Sequence, residues 1–314
     1  MDGVIVLNKP AGISSNTAAN IVKKAVGAKK AGHLGTLDVL GDGVLPITLG
    51  KATRLFDFFL EKRKTYRAVF AFGFETETLD AEGKIIETSN NIVSKGQIEN
   101  ALKNFQGKIS QLPPQFSALK INGKTAYELA RKGETAKLKE RTIEIFSFKL
   151  LGEISQGKRE ELKSRFLKFH DEQEADELGV DVVFEKQLFE FEIECSSGTY
   201  IRSLCRDLAH STASCGTMLC ITRTRCGKFD IENSFSLKEI KSGKYKLLSA
   251  FDVVDLPSKE ISKEDGRAIL NGKTVCVFPI EKGKFKLVCD GKFYGIANNL
   301  NDGKVKIETF LLED

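Results

Sequence analysis

Apolar residues recur along this chain with two periods, near two and near 3.6, and the switches between them predict the order of strands and helices. Residues 4–7 form a short apolar run that Asn8-Lys9-Pro10-Ala11-Gly12 breaks into a turn. Ala18, Ile21, Val22 and Ala25 then repeat at helical spacing behind a capping Ser14 or Ser15, and Gly27 offers a stop. Residues 44–49 read as a buried strand, and 51–62 as an amphipathic helix with Ala52, Leu55, Phe56 and Phe59 on one face. From 64 to 74 the pattern alternates, with Tyr66, Ala68, Phe70 and Phe72 sharing a face. An acidic turn at 80–83 reverses it into 84–87, which predicts a hairpin.

Helical spacing returns at 98–105 and, after Gly123, at 125–131, where Tyr127 and Arg131 stand one turn apart. Between them, 111–120 is too proline-rich at its start for regular structure and reads as a shaped segment. A strand is predicted at 142–151. The mixed-sign charge of 156–179 reads as a solvated insertion. Alternation is cleanest at 188–195, where Phe189, Phe191, Ile193 and Cys195 interleave with Glu190, Glu192 and Glu194. Ser196-Ser197-Gly198 then turns into a helix with Ile201, Leu204, Cys205 and Leu208 on its apolar face and Arg202 and Arg206 aligned on another. Past 251–256 the chain resembles a small β-rich unit punctuated by Asn271-Gly272, Lys282-Gly283 and Asp302-Gly303 turns.

Length and composition narrow the class. The 314 residues are 41% hydrophobic and 29% charged, as in folded globular proteins, with no apolar run of membrane-spanning length and no signal-peptide pattern at the start. Seven cysteines in irregular spacing, none in a C-x-x-C pair, read as reduced core thiols and point to the cytoplasm. The net charge of +5 is unevenly placed: residues 1–67 carry 11 Lys and Arg against 5 Asp and Glu. A polyanion such as nucleic acid fits that concentration.

The basic region surrounds one unusual stretch, residues 32–46, in which four glycines and two carboxylates stand among apolar residues. Glycine gains nothing from packing, so the stretch reads as a shaped loop that presents Asp38, between Leu37 and Val39, as a reactive group, or as a Gly-Asp turn before a buried strand. A phosphate loop is excluded by spacing: six residues part Gly43 from Gly50, and Ala52 follows Lys51. No dinucleotide fingerprint, metal cluster or Ser or Cys nucleophile motif appears. What remains is cofactor-free chemistry by one carboxylate on a polyanion, or plain binding.

At this point the chain resembles the TruB-type tRNA pseudouridine synthases. Gly32-His33, Gly35-Thr36-Leu37-Asp38 and Gly43-Val44-Leu45-Pro46 look like the family's catalytic loop, with Asp38 at its catalytic aspartate. Lys64-Thr65-Tyr66 resembles its Lys-x-Tyr strand, and residues 111–120 with Gly123, Tyr127 and Arg131 its Pro-Pro-x-x-Ser-Ala segment. Ser197-Gly198-Thr199-Tyr200-Ile201-Arg202 matches Gly-Thr-Tyr-Ile-Arg, and Ile221-Thr222-Arg223-Thr224-Arg225 with Gly227 and Phe229 its last core motif. The resemblance implies an α+β fold, with a core on a mixed β-sheet at 1–250 that includes the 156–179 insertion. A small β-rich, PUA-like RNA-binding domain at 251–314 follows.

The implied reaction turns the tRNA T-arm uridine 55 into pseudouridine, with no cofactor and no metal. Asp38, Tyr66 and Arg202 are the catalytic candidates, and His33, Lys9, Ile221 and Tyr200 the substrate-binding ones. By resemblance Arg202 partners the aspartate and keeps it charged, Tyr66 stacks under a flipped base, His33 braces the opened RNA loop and Ile221 lines the pocket. The implied partner is the tRNA T-arm stem-loop, bound by a monomer with no membrane and no obligatory protein partner. Rival readings are a non-catalytic tRNA-folding factor and a guide-directed modifier of ribosomal RNA. The chain departs from the pattern at Leu34, at Val39 where the family has proline, and at Gly41-Asp42-Gly43.

Overall fold

A computed structural model describes residues 1–58, 63–121, 123–167, 180–276, 282–299 and 304–311. They divide into two compact units, one of residues 1–38, 44–61 and 232–314, the other of 39–43 and 62–231.

In the first unit the Gly3–Lys9 strand lies beside the Asp42–Leu49 strand, and Ala31–His33 pairs antiparallel with the end of the latter, His33 opposite Ile47. Helix Ser15–Ala25 starts where Ser14 accepts a hydrogen bond from the Thr17 N–H, and it buries Ala18, Ala19 and Val22. The amphipathic helix expected at 51–62 is instead a 3₁₀ helix, Gly50–Phe58. With three residues per turn its inner face is Ala52, Leu55 and Phe58, packed with Ala250, Val254, Phe293, Ile296 and Leu311, while Phe56 is 45% exposed. Phe59 lies outside the described residues.

The same unit holds a separate five-stranded sheet in the order Ser258–Ile261, Gly283–Cys289, Lys292–Asn299, Lys304–Phe310 and Val275–Cys276. Asn271-Gly272 does not join two of these strands. It closes a helix, Lys263–Leu270, that strand-oriented reading passed over, and Gly272 there takes a φ of +76°. Asp302-Gly303 lies outside the described residues.

The second unit is built on a sheet in the order Gly216–Cys226, Arg63–Phe72, Gln187–Ser196, Arg141–Glu153 and Gly107–Gln111, each pair antiparallel. Asp42 and Gly43 add parallel pairing to Thr222 and Arg223, which makes the sheet mixed. Only glycine fits at 43: φ is +99°, and a Cβ would stand 2.3 Å from the Arg223 carbonyl oxygen. The predicted hairpin forms after Gly73, between Phe74–Thr76 and Ile85–Thr88.

Tyr66, Ala68, Phe70 and Phe72 are buried as the alternation requires, but so are Val69 and Ala71 on the opposite face. The residues that cover them follow the Arg141–Glu153 strand: Ile154, then Leu162 of helix Gln156–Leu167, then Val183 and Phe184 of helix Val180–Glu185. Arg159 donates to the carbonyl oxygens of Phe184 and Lys186, and Lys158 pairs with Glu190 at 2.6 Å. The start of the insertion is therefore anchored at one face, through Leu162, Lys158 and Arg159, while its other described side chains are exposed or half-buried as a solvated segment requires. Its remainder, 168–179, lies outside the described residues.

Candidate active site

Asp38 ends a loop whose shape is set by the helix before it. Ser15, first residue of that helix and buried, accepts from the Leu37 N–H at 2.9 Å and donates to the Leu37 carbonyl at 3.0 Å. Both backbone groups of the residue preceding Asp38 are thus fixed by one hydroxyl. Leu34 and Leu37 are buried, and Leu34 N–H bonds the Pro46 carbonyl at 3.0 Å, so apolar burial and a cross-loop bond shape the loop in which Asp38 is half-buried. His33 donates from Nε2 to Asn16 at 3.1 Å, a second tie to the same helix start. Asp42 differs: it is a strand residue, paired with Thr222.

Lys9 does not present a phosphate contact. It is fully buried, and its ammonium donates to the carbonyl oxygens of Pro10 at 2.9 Å and Ile13 at 2.7 Å. A buried charge needs such partners, and here it closes the turn that the Asn8-Lys9-Pro10-Ala11-Gly12 stretch begins.

In the second unit, Tyr66 stands in register between Ile193 and Arg223, and Ile221 opposite Ala68, so Tyr66, Ile221 and Arg223 share one face. Tyr66 and Ile221 are buried and Arg223 is fully so. Burial pushes the Tyr66 phenol well above its ordinary value, while the charge of Arg223 and its hydrogen bond to the phenol pull the other way. Lys64, two residues earlier, is held below the ordinary lysine range by burial and by the Arg223 charge.

Arg202 and Arg206, expected on a common face, both reach the 112–116 segment, Arg206 through the Leu112 carbonyl at 3.3 Å. Arg206 pairs with Asp207 at 2.7 Å. Arg202 is only 7% exposed: Nη1 reaches Asp80 at 3.0 Å and the Thr78 carbonyl at 3.0 Å, and Nη2 the Phe116 carbonyl at 3.1 Å. Asp80 in turn accepts from the Thr78 hydroxyl at 2.6 Å and the Glu82 N–H at 3.1 Å. The geometry fixes a planar cation with its charge already neighboured by a carboxylate. Leu79 pays for the turn with a φ of +62°, a left-handed conformation costly for a branched side chain.

Tyr200 is placed through its backbone, since the buried Gln111 side chain accepts from its N–H at 2.9 Å and donates to its carbonyl at 3.0 Å. The guanidinium of Arg141 lies 5.8 Å from the centre of its ring. Among the described residues no group of three or more His, Cys, Asp or Glu side chains stands where it could hold a metal.

Four residues were read without a role in the site: Ser15 as a capping candidate, Asp80 in a turn, and Gln111 and Arg223 inside segments that carry the resemblance. Arg223 had a signal, because it occupies the same phase of its strand as buried Ile221. Asp80 read as an ordinary turn former, and only its buried partner Arg202 distinguishes it.

Residues 23–168 match the TruB family pseudouridylate synthase (N terminal domain). Proteins called tRNA pseudouridine synthase B match far beyond that segment. The one from Aquifex aeolicus is 36% identical over 302 residues, 95% of each chain, and the one from Caldanaerobacter subterraneus is 33% identical over 300, again 95% of each. The one from Francisella tularensis subsp. novicida is 33% identical over 322, covering 100% of this chain and 96% of its own. A solved H/ACA RNP bound to a substrate RNA containing 2'-deoxyuridine shares the fold, with a TM-score of 0.64 at 22% identity over 99% of this chain and 85% of that one. Similarity that runs through both units and includes the loop of Asp38, the strand of Tyr66 and the helix of Arg202 places the chain in one family: it belongs to the TruB family of pseudouridylate synthases.

Proposed function

We propose that this protein isomerises uridine to pseudouridine in tRNA, at the T-arm position 55, with Asp38 as the reactive carboxylate. The observation that carries the reading is the pinning of Leu37 by Ser15, which spends a buried hydroxyl on holding the residue before Asp38. The reaction breaks the bond from C1′ of the ribose to N1, turns the base and joins C1′ to C5; the proton lost from C5 is balanced by one gained at N1. Asp38 acts as nucleophile on C1′ or as base toward the neighbouring sugar carbon, and either role needs the carboxylate form.

Tyr66 supplies a ring on which the flipped base stacks. Arg202 supplies an anchored cation, Ile221 an apolar wall, and His33 and Tyr200 contacts to the opened RNA loop. Residues 1–250 form the catalytic domain and 251–314 a small RNA-binding domain. Among the described residues no helix is long and apolar enough to cross a membrane. In this reading the protein works as a cytoplasmic monomer without a protein partner.

The test is single-turnover conversion of a naked T-arm transcript by the chain alone, with tRNA affinity measured beside it. Asp38→Asn is expected to abolish conversion and retain binding. Asp42→Asn, a strand position near phosphate, is expected to leave turnover similar and binding equal or slightly tighter at low salt. An inactive wild type that binds tRNA would favour a folding factor, and conversion only with added guide RNA and proteins a guide-directed enzyme. An active Asp38→Asn with a dead Asp42→Asn would show that the register of the catalytic loop is wrong.

A further inference from the structure

One apolar cluster on the back of the second unit's sheet joins elements that the proposed activity depends on. It contains Val69, on the strand of Tyr66; Ala81, next to Asp80; and Leu219, on the strand of Ile221 and Arg223. Leu40, two residues after Asp38 in the chain, packs against it. The covering residues are Ile154, Leu162, Val183 and Phe184, from the end of one sheet strand and the two helices that follow it.

We infer that these two helices are a positioning device for the catalytic loop, acting through Phe184 and Leu162 on Leu40 and Ala81; the inference rests on the activity proposed above. The loop has a particular need of it. Where the resemblance leads one to expect a proline after the aspartate, the chain has Val39, 39% exposed, so no ring fixes the backbone there. Sheet pairing takes hold again only at Asp42 and Gly43, which pair with Thr222 and Arg223. Between Leu37, held by Ser15, and that pairing, the partly buried Leu40 ties the segment to the cluster, and packing at crystal-like density passes a displacement of Phe184 on to its neighbours. The helices are themselves tied down by the bonds of Arg159 to the Phe184 and Lys186 carbonyls and by the Lys158 to Glu190 pair, so the lid on the cluster is held by polar contacts at its base. Misplacing a reacting group by about an ångström costs on the order of 10²-fold in rate, so a modest shift suffices.

Phe184→Ala, Phe184→Leu, Leu40→Ala and the Leu40→Ala/Phe184→Ala double variant decide it. The readings are single-turnover conversion, tRNA Kd and thermal midpoint, with rates taken well below each variant's own midpoint. Phe184→Ala is expected to slow conversion roughly 10-fold with tRNA Kd within about twofold, and Phe184→Leu to recover most of the rate. Leu40→Ala should slow it comparably, and the double variant should be little slower than either single, because both act through one cluster. Should Phe184→Ala not fold, Leu162→Ala replaces it. A lowered midpoint with an unchanged rate, independent multiplication of the two single effects, or a loss of affinity as large as the loss of rate would each overturn the inference. Wild type run alongside keeps the two ideas apart: its failure to convert overturns the activity, whereas conversion undiminished in Phe184→Ala overturns only the positioning role.

Discussion

The two faces of the sheet around the Arg63–Phe72 strand are buried by different means. On the front, Phe70 stacks on Phe191 at 4.7 Å between ring centres, Phe148 meets Phe191 at 5.5 Å and Phe72 meets Phe189 at 5.6 Å, and the aromatic layer runs on to Tyr66 and Arg223. On the back, Val69, Ala71 and their neighbour Leu188 are covered, while Arg63 and Arg67 face Glu194 and Glu192 across open ladder positions. The front is a core made by the strands' own alternation. The back is half core and half water, and where the border falls is decided by helices that come more than eighty residues later in the chain. Of the proposed site residues the front face carries Tyr66 and Ile221, and the cluster inferred to position the loop lies on the back.

The largest expected effect breaks the front. Phe191 is fully buried and contacts two other rings, so Phe191→Ala should cost about 3–5 kcal/mol through lost burial and the cavity left behind. Urea unfolding checks it, and a loss below about 1 kcal/mol would mean that the aromatic layer is loosely packed.

A smaller effect separates the faces by pH. Burial pushes the Cys195 thiol from 9.0 up to about 12, with a hydrogen bond to Thr199 and the Lys64 charge pulling it back. The folded state therefore keeps a proton that the unfolded chain gives up near pH 9. Stability from this group is complete below that pH and is lost as pH rises toward 12, by about 1.4 kcal/mol per pH unit. Cys195→Ala should flatten the alkaline decline measured by denaturation between pH 9 and 11, and Arg67→Ala on the back should leave the slope alone. An unchanged slope in Cys195→Ala would place the thiol in contact with water.

How far the sequence announces this structure depends on whether a residue's partners are local. The Ser15–Ala25 helix and the alternation of Phe189, Phe191, Ile193 and Cys195 are legible because cap, period and burial lie within one element. The 3₁₀ form of Gly50–Phe58 is not, since Ala52 and Leu55 fit either spacing and only the residues packed against Phe58 decide between them. Burial of Val69 and Ala71 was unreadable at their own position, because the residues that cover them, Ile154, Leu162, Val183 and Phe184, stand more than eighty residues away in the chain. In the site, motifs recover Tyr66 and Arg202, but Asp80, Gln111 and Arg223 gain meaning only from their long-range partners. The partners of Lys9 are likewise invisible in the sequence: nothing in the Asn8-Lys9-Pro10 stretch says that its ammonium lies buried on two carbonyls.

The smallest effect tests the open half of the back. Arg67 and Glu192 approach at 3.7 Å with side chains 56% and 34% exposed, a separation and exposure at which water and salt screen most of the attraction. Holding a long arginine side chain in one rotamer offsets much of what is left. Arg67→Ala is therefore expected to change stability by about 0.5 kcal/mol or less at low salt, and by nothing measurable in 1 M salt. Urea unfolding at both salt concentrations reads the difference directly. A loss above about 1 kcal/mol that survived high salt would mean that Arg67 contributes packing of its aliphatic stem and not charge. The back face would then be a continuous core like the front, and the border drawn by Phe184 and Val183 would not exist.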